Sequence, residues 1–159
     1  MFRLSTRGRY ALRAMVDLAQ HASSEPVGRQ ELADRQEISA DYVAQLFRHL
    51  VAQGLVDGVK GPGGGYRLAR DPAKISAGDV LRAVEGPVAV VDCVLTGEAM
   101  PAPCNRTEQC ITHLLWKRVS DAIEEELDAV TLAELSQQMQ LLLANEGQQE
   151  QQTPAGVLS

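Results

Sequence analysis

The sequence predicts a mainly α chain with a small β-hairpin wing (α+β), in which a winged helix-turn-helix precedes a long dimerisation helix. Three observations support this fold class. Residues 29–53 contain two short helical patterns separated by about four residues, as in a helix-turn-helix. A glycine-rich stretch then separates two short strand patterns. A long amphipathic pattern follows over residues 110–130.

The first two helices are indicated by capping residues and apolar spacing. Ser5 or Thr6 can cap the first helix, and its apolar side chains recur at intervals of three and four residues. Pro26 ends that segment. A short second helix is expected over residues 29–36, so the helix-turn-helix begins there.

The third helix is predicted over residues 40–53, with Ser39 as its N-cap and Gly54 at the position of a left-handed C-cap. Its apolar side chains share one face and leave a polar face outside. The second helix of such a pair enters the major groove of DNA, so this is the predicted recognition helix. The side chains expected in the core are Val43, Leu46, Phe47 and Leu50.

The wing is predicted from its turn chemistry. Residues 55–59 and 66–69 are predicted strands, and residues 61–65 between them contain four glycines and a proline. This composition favours a hairpin tip. Lys60 lies at the base of the wing, where its charge can reach a phosphate or a minor groove.

The second half of the chain is predicted to be helical around a long loop. Ser76 and Asp79 resemble a capping box for a short helix that ends at Gly86. Residues 86–109 are assigned to a loop, whose length is uncommon in a compact domain unless it has a function. The apolar stripe on the 110–130 helix exceeds what one small domain needs, so we expect it to pack against its two-fold mate. The stripe comprises Trp116, Val119, Ile123, Leu127 and Val130.

A last helix is predicted from the capping pattern of Thr131 and Glu134 and is expected to end near Asn145. The Gln-rich tail, residues 146–159, has little to bury and is expected to be disordered. Residues 76–145 are therefore assigned to the loop and the dimerisation helices.

Charge divides the chain in the same way. Residues 1–75, the predicted DNA-binding domain, contain 11 Lys and Arg against 8 Asp and Glu, a net charge of +3. Residues 76–159 contain 4 against 13, a net charge of −9. A basic half can face phosphate while an acidic half faces away, although a chance fluctuation in charge gives the same numbers.

All three cysteines and one histidine lie within 21 residues, in or beside the predicted loop. Three thiols and an imidazole can make a four-coordinate site for a soft metal. From spacing alone, three alternatives stay open: unrelated buried cysteines with a surface histidine, a zinc knuckle, or an iron–sulfur cluster. The candidates are Cys93, Cys104, Cys110 and His113, and the last two are three residues apart, on one face of a helix.

Several classes of protein are disfavoured by composition. No stretch approaches the ~20 apolar residues that cross a bilayer, and the first residues have no apolar core of a secretory signal. We therefore expect a cytoplasmic protein without a membrane partner. Thiols stay reduced there, which favours metal ligands over disulfides.

Several motifs together resemble one family. They extend from Arg3 to about Leu135, and the glycine-rich wing precedes the cysteine-bearing helix start in the family's order. On these residues the chain resembles the IscR-type iron–sulfur cluster-binding winged-helix transcriptional regulators. The motifs are Arg7-Gly8-Arg9-Tyr10-Ala11, Tyr42, Gln45-Leu46-Phe47, Gly54-Leu55-Val56, Gly61-Pro62-Gly63-Gly64-Gly65-Tyr66 and Cys110-Ile111-Thr112-His113-Leu114-Leu115-Trp116.

The resemblance implies a homodimer that binds a double-stranded DNA operator and represses or activates genes of iron–sulfur cluster assembly. It also implies one 2Fe–2S cluster in each subunit, donated by the iron–sulfur assembly machinery. The cluster-binding loop would then cover about residues 86–113. The ligands that the resemblance implies are Cys93, Cys104, Cys110 and His113.

Two positions depart from the family's pattern. Glu37 stands in the helix-turn-helix turn where the family usually has Gly, and a left-handed conformation there would cost about 1 kcal/mol. Lys60 stands where the family commonly has Arg, and a lysine fits a narrow minor groove less specifically. The gap between Cys93 and Cys104 is also longer than in well-known members.

Five residues are predicted to contact DNA. Gln45 can read a base edge through its amide. The others are expected to hold the backbone, with phosphates bound by Ser39, Tyr42 and Arg48 and the minor groove or backbone bound by Lys60.

Two rival functions fit parts of the sequence. One is a winged-helix regulator with structural zinc or no metal, which responds to a protein partner or to thiol oxidation. The other is an enzyme that uses Cys110 and His113 as a nucleophile and base. The sequence offers no third orienting residue or oxyanion loop nearby, so we expect no enzyme activity.

Overall fold

The computed structural model describes residues 4–21, 25–95, 104, 106 and 109–151, and of residues 146–151 only the backbone. Two 3₁₀ turns, Pro72–Lys74 and Asp92–Val94, lie between the main elements. These elements are, in chain order, α1 (Thr6–Gln20), α2 (Arg29–Gln36), α3 (Ala40–Ala52), β1 (Val56–Val59), β2 (Gly65–Leu68), α4 (Ala77–Glu85), α5 (Ile111–Ala129) and α6 (Leu132–Gln151). The predicted fold class is confirmed.

The helix-turn-helix forms from local capping. The Ser39 hydroxyl accepts a hydrogen bond from the Tyr42 amide at 3.1 Å and so caps α3. Glu37 ends α2 in a left-handed conformation, with φ 56° and ψ 43°. The turn therefore has the left-handed geometry that glycine adopts most readily, and Glu37 carries the expected cost of about 1 kcal/mol.

The core of the winged domain lies between α1, α2, α3 and the wing. Phe47 of α3 is fully buried, and its ring lies 4.3 Å from the ring of Tyr66 in β2, measured between centroids. This contact joins the recognition helix to the wing. All four side chains expected inside α3 are buried: Val43, Leu46, Phe47 and Leu50.

The wing is an antiparallel hairpin in which Val56 pairs with Leu68 and Val59 with Gly65. A short bridge attaches it to the chain before α2, where Val27 and Tyr66 exchange two backbone hydrogen bonds of 2.8 Å. Gly65 lies so close to this bridge that a Cβ atom would approach the Val27 carbonyl oxygen to 2.0 Å. The position of the wing therefore depends on glycine at residue 65.

A cluster of charged side chains fixes α5 to α4. Arg82 of α4 contacts Asp79 at 3.1 Å, Glu124 at 3.1 Å and Asp128 at 2.6 Å. Gly78 allows the close approach, because a Cβ there would meet an Asp128 carboxylate oxygen at 2.0 Å. The C-terminal end of the long helix is therefore held to α4, which itself packs against α1 of the winged domain.

The predicted capping box of α4 is present. The Ser76 hydroxyl accepts from the Asp79 amide, and the Asp79 carboxylate accepts from the Ser76 amide, both at 3.0 Å. Burial opposes ionisation of Asp79, but the Ser76 amide, the Arg82 guanidinium and the Ser76 hydroxyl outweigh it and lower the pKa of Asp79.

Asp79→Asn keeps an oxygen that can accept from the Ser76 amide but removes the negative charge at the start of α4 that pairs with Arg82, so it is expected to destabilise the fold by about 1 kcal/mol at neutral pH. Because the folded pKa is lowered, the contribution is present above the unfolded value of 3.8 and is lost as the pH falls through the folded value. The difference between wild type and variant in urea unfolding should therefore shrink below about pH 4. A constant difference would contradict this, and the exposed Glu125→Gln is the control.

The last two helices differ slightly from prediction. α5 begins one residue after Cys110, and α6 continues to Gln151, six residues beyond the predicted end near Asn145. The correction has a local cause, because Gln and Glu are good helix formers even without a core to cover. Residues 152–159 lie outside the described residues, so disorder of the tail stays a prediction there.

No helix within the described residues is long and apolar enough to cross a bilayer.

Candidate metal centre and nucleic-acid interface

Two of the predicted ligands lie together at the start of α5. Cys110 is the N-cap residue in an extended conformation, and the His113 amide donates to its carbonyl oxygen at 3.0 Å. The Thr112 hydroxyl lies 3.1 Å from the Cys110 sulfur. The start of α5 therefore fixes the backbone of two residues, Cys110 with a sulfur donor and His113 with an imidazole donor.

The surroundings of Cys110 lower the pKa of its thiol from the ordinary value. The hydrogen bond from Thr112 contributes most to lowering the pKa of Cys110, and the His113 amide adds to it. Thiolate is the form that binds metals.

One ring nitrogen of His113, Nδ1, is buried. No hydrogen-bond partner for this nitrogen exists among the described residues. Most buried polar atoms have a partner, so an unpaired imidazole nitrogen needs an explanation. A metal ligand is one such explanation, because coordination satisfies the nitrogen lone pair.

Cys93 lies on the short turn Asp92–Val94, named here the Cys93 turn. Its side chain is half-buried with a free thiol, and the turn packs against α5. Just before the turn, the Val90 amide donates to the Ser120 hydroxyl of α5 at 3.0 Å. The segment that carries Cys93 is therefore attached to the helix that begins after Cys110.

Cys104 is exposed, and most of its neighbours in the loop lie outside the described residues. Across the part of the chain that the structure describes, no three Cys, His, Asp or Glu side chains are close enough to hold a metal. The structure thus brings Cys110 and His113 together on one helix and packs the Cys93 turn on that helix, without a complete four-ligand arrangement. The ligand assignment stays a prediction.

On the recognition helix and the wing, the five predicted DNA contacts fall into two kinds. Gln45 and Arg48 are exposed one turn apart on α3, and Lys60 is exposed at the wing. Ser39 uses its hydroxyl as the α3 cap, and Tyr42 is half-buried against the ring of Tyr10, 6.1 Å away between centroids. Ser39 and Tyr42 therefore already make structural contacts within the protein. All five assignments as DNA-contacting residues stay predictions.

Sequence reasoning missed two supporting residues. Tyr10 of α1 packs edge-on against Tyr42 of α3, and no local sequence pattern predicts this contact between two helices. The ring centroid of Tyr10 also lies 5.2 Å from the Arg13 guanidinium on α1. Ser120 had a visible signal, because it lies between Trp116 and Ile123 in the apolar stripe of α5. A lone serine in such a stripe indicates a buried hydrogen bond.

Comparison with known proteins places this arrangement in a family. The model of the Rrf2 family, described as an iron-dependent transcriptional regulator, matches residues 4–138. The chain belongs to the Rrf2 family. Among curated relatives, the HTH-type transcriptional regulator IscR of Vibrio cholerae is 40% identical over 146 residues, which cover 92% of this chain and 82% of the relative.

Solved structures agree with this Rrf2 assignment. CymR, the global cysteine regulator of B. subtilis, matches with a TM-score of 0.67 at 35% identity and covers 86% of this chain and 98% of its own. T. potens IscR matches with a TM-score of 0.66 at 35% identity, covering 98% of this chain and 94% of its own. This Rrf2 protein is therefore an IscR-type transcriptional regulator, which confirms the expectation that it is not an enzyme.

Proposed function

We propose that this Rrf2 regulator binds operator DNA in the cytoplasm as a homodimer and controls genes of iron–sulfur cluster assembly. It would sense cluster status through a 2Fe–2S cluster in each subunit, received from the assembly machinery. The observation that carries the proposal is the buried Nδ1 of His113, which has no hydrogen-bond partner among the described residues and lies about one helical turn from Cys110. The ligands would be Cys93, Cys104, Cys110 and His113.

The donor chemistry fits an iron–sulfur cluster. Thiolates are the usual ligands of such clusters, and replacing one thiolate by neutral imidazole raises the reduction potential. When bound, the cluster would provide a group that is lost under oxidation or when few clusters are available, so its presence would report how well the cell is supplied with iron–sulfur clusters. Two observations support this proposal: two of the proposed donors lie at the start of α5, and the Cys93 turn packs against the same helix.

The dimer is supported by apolar side chains that α5 leaves exposed. Leu115 is 50% exposed and Ile123 is 40% exposed. With Val119, Ala122 and Leu127 they line an open groove along the helix. A second copy related by a two-fold axis would cover this surface and present two recognition helices to successive major grooves.

Cluster binding is tested by anaerobic reconstitution. Wild type should take up about two iron atoms per chain and show charge-transfer bands in the visible spectrum. His113→Ala and the triple variant Cys93→Ala, Cys104→Ala, Cys110→Ala should lose most of the iron. The first removes the proposed imidazole donor, and the second removes the three proposed thiolate donors. The exposed His49→Ala is the matched control and should load like wild type.

Regulation is tested by operator binding of the loaded wild type and the triple variant. If the cluster controls DNA binding, the loaded wild type and the triple variant should bind one or more operators with different affinities. Equal affinity at every operator, or a wild type that takes up no iron, would refute a cluster-controlled switch.

The DNA-reading role of α3 is tested with Gln45→Ala. Loss of a base contact should weaken specific binding by about 1–3 kcal/mol and leave binding to random DNA unchanged. Gln138→Ala, exposed on α6, is the control. Fluorescence anisotropy at fixed salt measures both, and unchanged discrimination between operator and random DNA would remove Gln45 as a reader.

A second candidate has one observation in its favour. B. subtilis CymR, a cysteine regulator by name, resembles this chain in fold as well as T. potens IscR does. The scaffold alone therefore fits a regulator with zinc or no metal that responds to a protein partner or to thiol oxidation. A colourless protein whose operator affinity changes on mild oxidation of Cys110 would favour this candidate.

A further inference from the structure

Ser120 is the one residue of α5 that is fully buried, with 4% of its surface exposed. A buried hydroxyl needs a hydrogen-bond partner, because an unpaired polar group away from water is costly. Here the partner is the Val90 amide, which donates to the Ser120 oxygen at 3.0 Å. The hydroxyl thus satisfies a backbone group in the irregular segment between α4 and the Cys93 turn.

This hydrogen bond lies close to Cys93 along the chain. Val90 precedes Cys93 by three residues, so chain geometry keeps their Cα atoms within about 10 Å. The turn itself is closed by a hydrogen bond from the Leu95 amide to the Asp92 carbonyl at 3.1 Å. Fixing Val90 on α5 therefore restricts where the Cys93 sulfur can lie.

The same face of α5 carries His113. Seven residues separate it from Ser120, which is about two helical turns, so the two side chains lie nearly in line. Trp116, the only tryptophan of the chain, lies between them in sequence and is half-buried. The segment anchored at Ser120 can therefore extend along this face towards the His113 Nδ1, which lacks a hydrogen-bond partner within the described part of the chain.

We propose that Ser120 is a positioning residue of the cluster site: its hydroxyl anchors the Val90 amide and holds the Cys93 turn on the His113 face of α5. This inference rests on the proposed function. In metal sites, hydrogen bonds from residues that do not themselves bind the metal orient the residues that do. Ser120 would have this role for Cys93.

The first test uses the full chain without metal. Trp116 lies one turn from Ser120 on the same face of α5, so we expect its fluorescence to report whether the anchored segment covers this face, because acrylamide quenches an exposed indole more strongly. Ser120→Ala should raise the quenching constant, whereas Ser120→Thr, which keeps a hydroxyl, should restore it. Ser136→Ala is the matched control, because Ser136 is also buried but lies on α6.

The second test measures iron release from the reconstituted protein to a chelator under anaerobic conditions. Ser120→Ala should release iron about tenfold faster than wild type, as expected for loss of an outer-shell hydrogen bond. Ser120→Thr and Ser136→Ala should release it at the wild-type rate. Urea unfolding of each apo variant shows whether global stability accounts for any difference.

The outcomes separate the two proposals. A loaded wild type with equal iron release from Ser120→Ala overturns the inference alone. Unchanged Trp116 quenching in that variant, or faster release that merely follows global stability, also overturns it. A wild type that takes up no iron overturns the proposed function and the inference together.

Discussion

Phe47→Ala is expected to lower the free energy of unfolding by about 3–5 kcal/mol, the usual cost of truncating a buried aromatic side chain. Phe47 is fully buried in α3 and packs on the Tyr66 ring of the wing, so the variant loses contacts on two elements at once. Since a domain of this size is stable by about 5–15 kcal/mol, a substantial share of that stability would be lost.

Urea unfolding followed by circular dichroism measures this effect, at one protein concentration because association adds to apparent stability. Val51→Ala is the matched control: it lies on the same helix, is 41% exposed and should change stability by less than about 0.5 kcal/mol. A loss below about 1 kcal/mol in Phe47→Ala would contradict the packing described between recognition helix and wing.

Gly65→Ala is expected to displace the wing and to destabilise the fold by about 3 kcal/mol. The new Cβ would meet backbone atoms of Val27 and Gly28, which cannot move aside as a flexible side chain can. Relief of this clash requires breaking the paired hydrogen bonds between Val27 and Tyr66. Operator affinity should fall as well, because Lys60 sits on the displaced hairpin.

Gly58→Ala separates this close contact from a general need for glycine in the wing. Gly58 lies on the opposite strand of the same hairpin, and a Cβ there would meet nothing within 4 Å. It should therefore be tolerated in both urea unfolding and operator binding. Equal effects of the two substitutions would show that the bridge to Val27 does not position the wing.

The two ends of α5 have different roles in this arrangement. The C-terminal end is fixed through Arg82, Asp128 and Glu124 to α4, which packs against α1 of the winged domain, whereas the N-terminal end carries the candidate ligands Cys110 and His113. Changes at the ligand end would therefore act on a helix that is already attached to the DNA-binding domain.

Local patterns predict most of the fold. The caps at Ser39 and Ser76, the apolar spacing of α3 and the glycine-rich hairpin each lie within a short continuous stretch of the chain, so the sequence displays them directly. The grouping of the three cysteines and the motif that begins at Cys110 likewise indicate the candidate site from the amino-acid sequence alone.

Neighbouring residues are therefore sufficient to specify the helix-turn-helix, the wing and the choice of candidate ligands. Which distant groups meet follows only from the packing of the helices: Val27 with Gly65, Arg82 with Asp128, and Val90 with Ser120. These contacts join residues 30 or more positions apart, and no short window of sequence records how the intervening elements pack.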